Sequence, residues 1–155
     1  MTAGAEGLFE IGTDGPTNIL VGVDGSTTSL RAGSYAAGLA RRQGAKVTAV
    51  YVAPLASLGA ATPGGAALTA ARRQAFREVA EDMRRLAEER SAELGISVTF
   101  IAAEGDPFAE IRRIADEIRA DAVVVGASAQ AGHRLVGSLA VRLVRAGRWP
   151  VTAVP

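Results

Sequence analysis

The chain has 155 residues, 48% of them hydrophobic and 21% charged, enough apolar content for one domain with a true core. Its 17 basic and 16 acidic residues leave a net charge of +1, so no global field draws in nucleic acid or a membrane surface. With no Cys and a single His, His133, disulfides, thiolate metal sites, a Cys nucleophile and two-histidine metal sites are excluded.

Met1–Thr17 is rich in Gly and Thr, carries Glu6, Glu10 and Asp14, and has no apolar periodicity; it reads as a flexible tail before a domain spanning 18–155. It has neither the basic start nor the apolar stretch of a secretion signal. No run reaches transmembrane length, so a cytoplasmic location is expected.

Asn18–Val23 (NILVGV) is the first expected strand, ending at Asp24-Gly25-Ser26. An Ala-rich helix follows over Thr28–Gln43, with Leu30, Ala36, Leu39 and Ala40 near one face and Gly44 as its stop. Lys46–Val52 is the second strand. Ala53–Ala67 is a low-complexity connection too rich in Gly and Pro for regular structure, and loops of that length are commonly functional.

The longest helix is expected from about Leu68 to Leu94, with Phe76, Val79, Met83, Leu86 and Ala87 at helical spacing. Glu81/Arg85 and Arg84/Glu88 form i,i+4 pairs on its wet side. Ile96–Ala102 is the third strand. Asp106-Pro107 supplies an N-cap and a first-turn proline to a helix whose apolar face is Phe108, Ile111, Ile114, Ala115 and Ile118.

Ala122–Val125 is a short β-branched run, the mark of a strand buried on both faces. Small and polar residues follow from Gly126 to Gly137-Ser138, where a new apolar run, Leu139–Val144, begins a helix that Ser138 can cap. A strand, a small-residue loop and a helix N-terminus together suit an anion. Gly147 stops this helix, Trp149-Pro150 turns the chain, with Trp149 a packing anchor, and Val151–Val154 is the last strand.

The order β-α-β-α-β-α-β-α-β demands a mostly parallel sheet covered on both faces. Ligands of such sheets bind beyond the strand C-terminal ends, where strand order reverses. Asp24–Ser29 and Gly126–Ser138 are the two loops with suitable chemistry, and an order of 3-2-1-4-5 sets them side by side. Neither the dinucleotide G-x-G-x-x-G nor the Walker pattern occurs at the first of these loops.

The blocks VGVDGS, VTAVYV and VVVGAS…GHRLVGSLAVRLVRAGRWPVTAVP resemble the universal stress protein family over nearly the whole chain after the tail. That resemblance implies a Rossmann-like five-stranded sheet in the 3-2-1-4-5 order, a homodimer and stress-linked regulatory roles. One branch of the family binds ATP and another, similar to stress protein A, does not. The ATP-binding pattern is Gly, two residues, Gly, nine residues, then Gly-Ser or Gly-Thr. Gly126 matches its first Gly and Gly137-Ser138 its last pair, but Ala129 stands at the second, and the stretch from Gly126 to Gly137 is shorter by two residues. Gly132 offers compensating flexibility.

By the same resemblance Asp24, with Gly25 and Ser26 in its turn, approaches ribose and adenine, and Val52 lines the base beside Val125 and Gly126. Gly137, Ser138 and Leu139 meet phosphates. Asp24 is equally a turn former before Gly-Ser. His133 and Arg134 carry charge suited to phosphate, though a lone loop His is more often a surface residue. The Arg41-Arg42, Arg72-Arg73 and Arg84-Arg85 pairs read as solvated helix faces. No base–nucleophile pair can be placed from spacing, so catalysis has little support, and no metal is expected on protein ligands alone.

Three readings therefore stand: a regulatory stress protein with a reduced adenine-nucleotide (ATP or AMP) site, a dimeric interaction protein without nucleotide, and, behind them, a weak ATP hydrolase. Val151, Thr152, Ala153 and Val154 form an uncharged last strand that a second copy is expected to cover, giving the homodimer.

Overall fold

A computed structural model describes residues 15–55, 63–127 and 138–155. The elements follow in the order β1 (Asn18–Gly22), α1 (Thr27–Gln43), β2 (Lys46–Ala53), α2 (Gly65–Leu94), β3 (Val98–Glu104), α3 (Pro107–Glu117), β4 (Ala122–Gly126), α4 (Ser138–Ala146) and β5 (Val151–Val154). All strand pairings are parallel, and the sheet order is β3-β2-β1-β4-β5, the order the resemblance implies.

β1 and β4 are two of the three inner strands and pair directly, Ile19 with Ala122, Leu20 with Val123 and Val21 with Val124. Their side chains alternate between two cores. Ile19, Val21 and Val124 pack with Ala32, Ala36, Ala37 and Ala40 of α1. Leu20, Val123 and Val125 pack with Ile111, Ile114 and Ala115 of α3 and with Leu143 of α4. Burial on both faces is why these strands read as unbroken apolar runs. Ile19, Leu20, Val123 and Leu143 are fully buried, and each such side chain contributes roughly 1.5–3 kcal/mol relative to exposure.

The helices differ in how they are bound. α1 lies close on the sheet through alanines, while Leu30, expected on its inner face, is 41% exposed; Ala32 takes that place. A stripe of methyl groups lets the helix backbone approach the strands, and Leu30 falls outside it. α3 starts as the sequence dictates, with Asp106 accepting the Ala109 amide at 2.9 Å and Pro107 in the first turn. Its apolar face is the expected one.

α2 departs furthest from expectation. It begins at Gly65 rather than near Leu68, and Gly65 is its only buried residue. Phe76, Met83, Leu86 and Ala87 are half-buried, and Val79 is exposed. Arg84 pairs with both Glu81 and Glu88, whereas Arg85 turns to Asp82 instead of Glu81. β3 starts two residues later than expected, at Val98, and runs to Glu104 because it pairs with β2 up to Ala53. The first fourteen residues of the expected tail lie outside the described residues. Thr17 is anchored, its amide and hydroxyl both donating to Asp121 Oδ2 at 2.8 and 2.6 Å.

Candidate functional site

Pairing of β1 with β4 places the loop after each strand at the same end of the sheet, at the point where strand order reverses. The first loop is a tight, self-bonded turn. Asp24 Oδ1 accepts the Ser26 amide at 2.9 Å, closing an Asx-type turn, and Gly25 takes φ 80° within it. Ser26 is the N-cap of α1: its Oγ accepts the Ser29 amide at 3.2 Å. The Ser29 hydroxyl in turn donates to the Ser26 carbonyl at 3.0 Å and lies 3.2 Å from the Asp24 amide, which donates to it. The turn-forming reading of Asp24 is thus realised, and it leaves the carboxylate exposed at the loop tip.

Partial desolvation pushes the Asp24 pKa up, but hydrogen bonds from the Ser26 hydroxyl and amide and from the Ser29 hydroxyl outweigh it, so the carboxyl sits below its ordinary value. At neutral pH Asp24 is an acceptor only, the state suited to receiving hydroxyl groups from a ligand. Its charge reaches Tyr51, whose phenol is pushed up first by burial and then by the Asp24 carboxylate.

Gly126 closes the other side. A Cβ there would lie 2.6 Å from the Thr28 carbonyl carbon and 2.7 Å from the Ser29 amide nitrogen. The end of β4 therefore touches the first turn of α1, and the small residue is required by the protein's own backbone. Val125 is buried in the α3–α4 core, and Val52 packs half-buried against that same core. α4 is described from Ser138, with Leu139 half-buried in the first turn. The leading amides of that turn have no partner within the helix. Ala129, Gly132 and Gly137, like His133 and Arg134, lie outside the described residues.

Reasoning from sequence did not find the wall beside this site. A cleft of about 640 Å³ opens at the C-terminal ends of β2 and β3, under the first half of α2. Tyr51 and Phe76 stack within it at 5.7 Å between ring centroids, with Arg72, Arg73 and Glu104 around them. Arg72 and Arg73 are exposed, as a solvated face requires, and they also line this concave surface. The signal was available in part: Tyr51 alternates with Val50 and Val52 along β2, so it had to emerge on the α2 side. Among the described residues, no group of three metal-ligating side chains occurs. None of the described helices is long and apolar enough to cross a membrane.

Residues 16–155 match the family model described as "Universal stress protein family". A universal stress protein from Methanocaldococcus jannaschii is 28% identical over 139 residues, 88% of this chain and 80% of that one. Among solved structures, universal stress protein UspA from Lactobacillus plantarum superposes with a TM-score of 0.78 at 27% identity, covering 90% of this chain and 97% of the other. A universal stress family protein from Burkholderia pseudomallei gives 0.67 at 30% identity, over 90% of this chain and 96% of its own.

Proposed function

Because the chain belongs to the universal stress protein family, we propose that it is a stress-response regulatory protein holding an adenine nucleotide at the β1–β4 reversal. The observation that supports this reading is the contact of the β4 end with the first turn of α1, which sets Gly126 beside the Asp24–Ser29 turn. Asp24, ionised and exposed, accepts hydrogen bonds from ribose hydroxyls. Val52, with Gly25 and Ser26 in the facing turn, borders the base. The first turn of α4, with Ser138 and Leu139, offers amides and the positive end of a helix dipole to phosphate, and Gly137 precedes it in the sequence. Val125, Ala129 and Gly132 belong to the same proposed wall and loop.

The site is a reduced one. The stretch from Gly126 to Gly137 is two residues shorter than the ATP-binding pattern, and Ala129 stands where a Gly would let backbone approach phosphate. A single phosphate is accommodated more readily than three. Two proteins that share the fold, at 24% and 20% identity, were crystallised with cAMP and with AMP bound, so this architecture can house such ligands. Those likenesses speak for the fold alone; the assignment to this chain rests on its own residues.

A second reading has a specific observation behind it. The smallness of Gly126 is fully explained by Thr28 and Ser29, without a ligand. A dimeric interaction protein without nucleotide fits that fact equally. A weak ATP hydrolase fits less well, since the described residues around Asp24 include no orienting base. Both leading readings share a homodimer in which a second copy covers the outer edge of β5, the end strand of the sheet.

Calorimetry with AMP, ADP and ATP on the full chain and on Asp24→Ala decides between them. The nucleotide reading expects AMP to bind in the micromolar range, ATP no more tightly, and the Asp24→Ala protein to lose about tenfold or more. Absence of binding for all three establishes the interaction protein. Submicromolar ATP affinity removes the reduced-site argument.

A further inference from the structure

α3 and α4 lie side by side on one face of the sheet, and a cleft of about 410 Å³ opens between them on the outer surface. Phe108, Arg112, Arg142, Arg145, Ala146 and Arg148 line it: four guanidinium groups and no carboxylate. In a chain whose net charge is only +1, that is a concentrated local field. The α4 sequence, SLAVRLVRA, contains no acidic residue to dilute it.

Two of the four guanidinium groups are held in place, each by one aromatic ring and one carboxylate. Arg142 lies over Phe108, 4.3 Å from the ring centroid, and reaches Asp106 Oδ1 and Oδ2 at 3.2 and 3.3 Å. Arg148 lies over Trp149 at 5.5 Å and pairs with Asp116 Oδ1 at 2.9 Å. A ring face orients a guanidinium without neutralising it. The carboxylate partners are solvent-exposed, and pairs of that kind hold little energy, so an incoming anion can displace them. Arg112 and Arg145, both exposed, have no ion-pair partner among the described residues. Like charges crowd together at a cost, which an anion of matching charge removes.

We propose that the α3–α4 cleft is a binding site for an oligophosphate, either free or as the phosphate chain of a larger molecule. Guanidinium forks match phosphate oxygens in pairs, and four of them around one cavity suit several linked phosphates better than one. The near-neutral chain lacks the extended basic surface that a nucleic acid would need. The proposal is independent of the adenine site, because it uses a different face of α3 and α4 and none of the residues named there.

The test is titration of the full chain with tripolyphosphate and with inorganic phosphate, followed by calorimetry and by NMR of the arginine Nε–Hε signals. Tripolyphosphate is expected to bind about tenfold or more tightly than phosphate, to shift the Arg112, Arg142, Arg145 and Arg148 signals, and to weaken as salt is raised. The exposed double variant Arg112→Gln/Arg145→Gln is expected to lose about tenfold while keeping its circular dichroism, and the Lys/Lys counterpart to fall between. ATP shifting these same signals identifies the phosphate chain of a nucleotide as the ligand type; ATP leaving them unmoved identifies a free oligophosphate. Tripolyphosphate binding no tighter than phosphate, or unchanged by the Gln/Gln variant, overturns the proposal. So does an acidic peptide that shifts the same four signals at lower concentration than tripolyphosphate.

Discussion

Gly126 and Thr28 are in such close approach that a Cβ on the glycine would lie 2.6 Å from the threonine carbonyl carbon. This single contact ties the last residue of β4 to the first turn of α1. Gly126→Ala must push helix and strand apart, at an expected cost of about 1–3 kcal/mol. Gly33, midway along α1 with open space where its Cβ would stand, is the control: Gly33→Ala is expected to stabilise by roughly 0.5–1 kcal/mol. Urea denaturation of both variants checks the pair, and equal midpoints would contradict the contact.

The Asp24 turn predicts a pH signature. Its folded-state pKa is lowered from 3.8, so the ionised carboxylate favours the fold, fully so at pH values above that ordinary range. This contribution drains away as pH falls through 3.8 toward the lower folded-state value. The stability difference between the parent chain and Asp24→Asn is therefore expected to be widest near neutrality and to close in acid. Denaturation series at about pH 7 and about pH 3 measure it; a difference that widens in acid would reverse the sign.

Register at the sheet edge says which backbone groups a second copy would find. The carbonyls of Pro150 and Val154 accept from Val123 and Ala127, so alternate positions of β5 face β4. Thr152 points its backbone inward with them, and the Val151 and Ala153 amides face outward. Ala153→Pro is expected to abolish the dimer proposed above while leaving the β4–β5 ladder intact. Light scattering at micromolar concentration reads the outcome, and a variant that dimerises unchanged would move the interface elsewhere.

Arg119 takes φ 54° just past the end of α3, where the Ala120 amide donates to the Ala115 carbonyl at 2.8 Å. This is a left-handed helix stop built on a side chain that disfavours it. Arg119→Gly is expected to stabilise the chain by about 0.5–1 kcal/mol, an increase readable as a higher thermal midpoint.

Much of this molecule was legible because its physics is local. The runs at Ile19 and Val123, the Asp106-Pro107 cap and the left-handed stops at Gly44 and Gly147 each state their structure within a few residues. The strand order came from the family resemblance, since periodicity alone cannot choose which strands adjoin. What stayed hidden depends on distance in three dimensions. That Gly126 is small for the sake of Thr28 required β4 and α1 to be placed first. The four arginines of the α3–α4 cleft are spread from 112 to 148, and no local pattern groups them. Leu30 was misplaced because a helix packed through alanines has a narrower contact stripe than hydropathy suggests.

The thirty residues of α2 make a rod of about 45 Å, against about 26 Å for the eight residues of β2 beside it. The helix is longer than that strand by about 19 Å, and it has one buried residue along its whole length. Opening it from its first turn exposes little apolar surface, so amide exchange there is expected to be fast relative to β1 and β4. The stacked Tyr51 and Phe76 rings tie the first half of the helix to β2. A molecule settling in the cleft beneath, against Arg72, Arg73 and Phe76, is expected to slow exchange in the first half of the helix.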